Sequence, residues 1–122
     1  VKKQITGKDI AIEVHWNAAS PEATGTEVII PGRNSSKEAT SIEKKVALEI
    51  VDSIATILNI KNRGVKFEYQ TARKKLGWMT LDAENILIEM CFISNKKDME
   101  SYQKNKEILA KTIANIIYKN AI

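Results

Sequence analysis

Two residues in this 122-residue chain have the type and setting from which hydrolytic chemistry is built, His15 and Glu89. His15 is the only histidine, and it closes Ala11-Ile12-Glu13-Val14, a run with the apolar, β-branched look of a strand. Glu89 closes Ile86-Leu87-Ile88, a run of the kind buried on both faces of a parallel sheet. Open α/β sheets place their chemistry at such strand ends. An imidazole there can ligate a metal. A carboxylate there is costly to desolvate unless a cation or a proton compensates it. The two are expected side by side at the mouths of neighbouring strands, around a metal. His15 would be a ligand, and Glu89 would move a proton from water to a leaving nitrogen. Each also has a plainer reading. A lone histidine at a strand end is more often a hydrogen-bonded structural residue, and a lone glutamate more often a cap or salt-bridge partner. Cys91 is the only cysteine, which rules out an internal disulfide and a Cys-rich zinc cage. Set among apolar neighbours, it is expected to be an inert buried thiol.

The elements that must position these residues can be read along the chain. Asp9–Val14 reads as a strand with Ile10, Ile12 and Val14 on one face, followed by a loop over Asn17–Gly25. Thr26–Ile30 is a second strand, closed by Pro31-Gly32. Ser35 and Glu38 have capping-box spacing and are expected to open a helix over Lys37–Leu58. Its inward stripe is Ile42, Val46, Ile50 and Ile54, filled out by Ala47, Val51 and Leu58. Asn62-Arg63-Gly64 ends the crossover, and Val65–Tyr69 is extended. Thr71–Asp82, with Arg73, Lys74, Lys75 and Trp78, reads as a loop or short helix near the site. Asn95 and Asp98 offer caps for a last helix over Asp98–Lys119. Tyr102, Leu109, Ile113, Ile116 and Ile117 would face inward, with Ala110 and Ala114 allowing close approach. This order predicts a single α/β domain over residues 1–122, a mostly parallel sheet flanked by helices.

Composition excludes little beyond extremes. Hydrophobic content of 43% and charged content of 28% are ordinary for a globular protein. No apolar run is long enough to span a bilayer, and no signal peptide is visible behind Val1-Lys2-Lys3-Gln4. The net charge of +4 would help the protein dwell on an anionic polymer. No helix carries a clustered basic face with base-reading residues, so neither nucleic acid nor membrane is expected as a partner.

Four ordered segments narrow the reading. They are His15-Trp16-Asn17-Ala18, Gly25-Thr26-Glu27-Val28, Arg63-Gly64-Val65-Lys66, and Ile88-Glu89-Met90-Cys91-Phe92-Ile93-Ser94-Asn95 with Asp98. In that order they resemble the marker segments of the zinc-dependent N-acetylmuramoyl-L-alanine amidases of the amidase-3 type. These are cell-wall hydrolases found as bacterial autolysins and phage endolysins. The resemblance runs from about Asp9 to the C-terminus and implies a Zn²⁺ held by two histidines and a glutamate, with a second glutamate as proton carrier. It also implies cleavage of the amide between N-acetylmuramic acid and L-alanine in peptidoglycan, hence action on the cell wall, secreted or phage-delivered. On this pattern His15 matches the second histidine ligand and Glu89 the catalytic glutamate. Asn17 and Glu27 match positions bordering the site and receive no catalytic role.

The departure from that pattern is equally plain. The family's first histidine and its glutamate ligand have no counterpart here, and a chain with one histidine cannot hold a His₂Glu site. The sequence therefore looks like the C-terminal portion of the domain, lacking its opening strand and helix. Three explanations are open. The front part can be supplied by a second polypeptide, the chain being a fragment or cleavage product. The chain can be a degenerate relative that binds or regulates at the wall without cutting. Or Glu13, Glu27 or Cys91 can complete a different metal site. The fragment is the favoured expectation.

Overall fold

The computed structural model describes residues 9–32, 38–71 and 83–121. The expected loop with Trp78 and the expected cap Ser35 lie outside the described residues. Four strands, β1 (Ile10–Asn17), β2 (Thr26–Ile30), β3 (Asn62–Phe67) and β4 (Glu84–Phe92), form one sheet in the order β1-β4-β2-β3. β1 runs parallel to β4 and β2 parallel to β3, while β2 and β4 are antiparallel. The sheet is thus mixed but mostly parallel. Helices α1 (Ser41–Leu58) and α2 (Lys96–Asn120) pack against each other and against one face of it.

Alternation along the strands builds this core. Val28 and Ile30 of β2 and Ile86 and Ile88 of β4 are fully buried against the helices. From α1 come Val46, Ala47, Ile50, Val51, Ile54 and Leu58, and from α2 Leu109 and Ile116. β1 is an edge strand, and its core-side residues fade outward. Ile10 and Ile12 are half-buried, and Val14 is 43% exposed.

Helix α1 starts later than Lys37 and uses a different capping box. The Glu43 N–H donates to the Thr40 hydroxyl oxygen at 3.0 Å, and the Thr40 N–H donates to Glu43 Oε1 at 2.8 Å. Tertiary structure decides for this box, because the backbone N–H of Asn85 donates to Glu43 Oε2 at 2.6 Å. That bond fastens the helix start to the beginning of β4. It also turns Glu43 inward, leaving Ile42 38% exposed rather than in the stripe. Asn59 closes α1 in the left-handed conformation, φ 55°, which asparagine tolerates.

Helix α2 begins at Lys96 behind the N-cap Asn95, whose side chain accepts the Asp98 N–H at 2.9 Å. Ser101 then donates to the carbonyl of Leu58 at 2.7 Å, satisfying an end group of α1. Ala110 and Ala114 are exposed, so the close approach expected at them does not occur. No described helix is long and apolar enough to cross a membrane.

Candidate active site

On the face turned away from the helices, the strand register lines up the chemistry. His15 on β1 lies directly opposite Glu89 on β4, and Glu89 lies directly opposite Glu27 on β2. Opposed residues share a face, so the three side chains form one row across the sheet. The neighbouring row is Glu13, Leu87, Ile29 and Lys66, taken from β1 to β3. Both residues of the expected pair, His15 and Glu89, lie inside their strands, a short way before the carboxyl ends at Asn17 and Phe92, and not beyond them.

Each member of the row has a distinct environment. His15 and Glu13 are two apart on one strand and share its face, and the His15 Nε2 pairs with Glu13 Oε1. The Glu27 carboxylate accepts from Arg63 Nε at 3.1 Å, and the Arg63 guanidinium sits 5.2 Å from the centre of the Phe92 ring. Glu89 has no ion-pair partner of that kind among the described residues. Its Oε1 is buried and makes no hydrogen bond. Burial raises its pKa above the ordinary glutamate value, the nearby Glu27 charge raises it further, and His15 opposes the rise. A carboxyl so placed holds and releases a proton closer to neutrality than an exposed glutamate does. The Thr26 hydroxyl donates to the Glu89 carbonyl at 3.2 Å, fixing the backbone beneath it.

These groups line a cleft of about 410 Å³, whose wall includes His15, Glu27, Arg63, Lys66, Leu87 and Glu89. A second hollow of about 250 Å³, beside Pro31, Lys44, Phe67 and Tyr69, contains no imidazole.

One buried carboxylate supports the floor of the cleft from behind. Asp98 accepts the N–H groups of Gly25 and Phe92, each at 3.1 Å, and the hydroxyl of Thr24. It so ties the start of α2 to the entry of β2 and the end of β4. Gly25 has φ +122°, and a Cβ there would meet the Lys61 carbonyl oxygen at 2.8 Å, so the join admits no side chain.

With the geometry in view, likeness to known proteins can be weighed. The sequence profile of the family Amidase_3, N-acetylmuramoyl-L-alanine amidase, matches residues 2–119. The chain belongs to this family. It is 36% identical over 120 residues to the "Probable autolysin PH" of Staphylococcus aureus, covering 95% of this chain and 22% of that protein. It superposes on a structure described as the catalytic domain of the CD27L endolysin targeting Clostridia difficile. The TM-score is 0.70 at 27% identity, over 93% of this chain and 56% of that one. Cwp6 from Clostridium difficile gives a TM-score of 0.72 at 25% identity, over 93% of this chain and 18% of that one. The chain thus spans about half of the first of these structures and less of the other two relatives. It is a partial Amidase_3 domain.

Family members are typically zinc-dependent, so the fit of these residues to zinc matters. The His15 ring and the unpartnered buried oxygen of Glu89 suit one corner of a metal centre. A whole centre does not fit, because no three His, Cys, Asp or Glu residues among those described are grouped to hold an ion. Cys91 adds nothing. It lies on the helix side with its Sγ 3.8 Å from the Met99 sulfur, and burial, then the Asp98 charge, push its thiol up to about 11.

Sequence reasoning names Glu13 and Glu27 as candidates for a different metal site, and Arg63 and Lys66 as part of a marker segment. It does not give the Glu13–His15 contact, the Glu27–Arg63 pair or the place of Lys66 in the cleft. For Glu13 the signal was present, since a period of two places residues 13 and 15 on the same face. Glu27 beside Glu89 depends on strand order, which no local pattern carries.

Proposed function

We propose that this chain is the C-terminal part of the catalytic domain of a peptidoglycan hydrolase, acting at the cell wall on the amide between N-acetylmuramic acid and L-alanine. The observation that carries the reading is the juxtaposition of His15 with a buried, unpartnered Glu89 oxygen on one open face. Membership of the amidase family and the likeness to an autolysin and an endolysin support it.

In this reading Glu89 accepts a proton from water as the oxygen adds to the amide carbonyl. It then returns that proton to the nitrogen as the C–N bond breaks, leaving a lactyl carboxylate and a free alanine amine. The raised pKa suits both halves of that transfer. His15 contributes one metal ligand, and the remaining ligands come from a polypeptide segment outside this chain. What zinc supplies when bound is polarisation of the carbonyl and a more acidic water. Glu27, held by Arg63, faces Glu89 from the neighbouring strand.

Dye release from labelled peptidoglycan tests the reading in a protein that carries the rest of the domain. Glu89→Ala should lower the rate by about 10²-fold or more. An inactive complete protein, or a variant that cuts at the parental rate, refutes it.

A second reading, a wall-binding or regulatory module that does not cut, draws on one specific observation. The described residues lack a three-ligand group, and Glu13 already occupies the His15 Nε2. Pull-down of the chain on purified walls separates the two. Binding that survives a chelator, with no hydrolysis in the completed domain, favours the second.

A further inference from the structure

We propose that Lys66 anchors a carboxylate on the peptide limb of the substrate, so that the cleft selects by charge as well as by the amide it holds. The inference rests on the cleft being a muramoyl-peptide site. It adds a recognition point which that reading leaves unassigned.

The register fixes where Lys66 sits. It lies opposite Ile29, which lies opposite Leu87, so it shares the face and the cleft of His15 and Glu89. The open face is therefore polarised, with the imidazole and the reacting carboxyl on β1 and β4 and two cations on β3. Arg63 is committed, held by Glu27 and laid over Phe92. Lys66 is not. It is half-buried, its ammonium donates to the Arg63 carbonyl, and no carboxylate among the described residues pairs with it. An ammonium carries three donors, so two remain for a ligand. Partial burial has removed water from this charge without supplying an opposite one. A bound carboxylate restores the balance with a charge-assisted hydrogen bond.

The spacing says which carboxylate. Glu89 and Lys66 stand two strand steps and one row apart, roughly 10–12 Å between Cα atoms at ordinary sheet spacings. Their side chains point the same way and can close part of that span. An extended peptide covers about 3.5 Å per residue. With the amide before alanine at Glu89, the acidic residue that follows alanine comes within reach of the Lys66 ammonium.

Calorimetric titration of the chain with two ligands tests this without requiring turnover. One is N-acetylmuramoyl-L-alanyl-D-glutamate with free carboxylates, and the other its carboxamide counterpart. The acid should bind about tenfold tighter than the amide. Lys66→Met should erase that ratio while leaving amide binding intact, and Lys66→Arg should keep most of it. Matching amide NMR spectra would establish that both variants fold. Equal binding of acid and amide to the parent chain, or a ratio that survives in Lys66→Met, overturns the carboxylate subsite but leaves the cleft reading standing. Failure of both ligands to bind overturns the two together.

Discussion

Glu89 gathers more physical tension than any other residue of the open face. It is desolvated, lacks a hydrogen bond at Oε1 and faces a second carboxylate one strand away. Carboxyls perturbed in this way cluster at functional sites. The two neighbours act on it in opposite senses, and this gives a signed prediction. Removing the Glu27 charge with Glu27→Gln takes away a repulsion, so the Glu89 pKa should fall towards the ordinary value of 4.5. The acid limb of hydrolysis, which reports loss of the charged base, should then move to lower pH. A ¹³C NMR titration of the Glu89 carboxyl checks the shift directly, and an unchanged or higher pKa contradicts the assignment of Glu27. The pair His15 and Glu89 was visible in the sequence because each ends a strongly apolar run and the imidazole is unique. Their environment was not, since the Glu27 charge reaches Glu89 only through the pairing of β2 with β4.

Among the elements, α2 is fastened to the site at its first turn and to α1 further along. Asp98 is the principal fastening, a buried carboxylate with donors from the loop entering β2 and from the end of β4. Asp98→Ala would leave those donors buried and unmet, a loss of about 3–5 kcal/mol. Urea denaturation should show a lower midpoint with little change in slope. A variant as stable as the parent would mean the loop re-pairs elsewhere. Helix α1 shows where element boundaries escape sequence reasoning. Two Ser/Thr-x-x-Glu boxes stand five residues apart, Ser35 with Glu38 and Thr40 with Glu43. Locally they are equivalent. What separates them is the Asn85 N–H, which reaches Glu43 from a distant strand and rotates the helix so that Glu43, not Ile42, faces inward. The remainder of the stripe, from Val46 to Leu58, was legible because period and burial agree.

At the scale of the molecule, the fold class followed from the order of apolar runs, while the mixed sheet with β2 antiparallel to β4 did not. The chain has a single histidine, and this too is a property of the whole chain. Because the described residues group no three ligands for an ion, the chain by itself should show no thermal shift above about 1 °C on adding zinc. A polypeptide supplying the rest of the domain should confer a shift of several degrees that a chelator reverses. Differential scanning fluorimetry checks both, and strong zinc stabilisation of the lone chain would show that its own residues complete a site. The path of the sheet has a further consequence. β1 lies beside β4, not beside the strand that follows it, so the imidazole waits on a carboxyl that leaves the ribosome much later. Every nascent or prematurely ended product that stops short of β4 carries His15 without Glu89 opposite it. Bringing the two side chains together therefore depends on a long-range pairing, which closes only after the intervening strands and helix have been laid down.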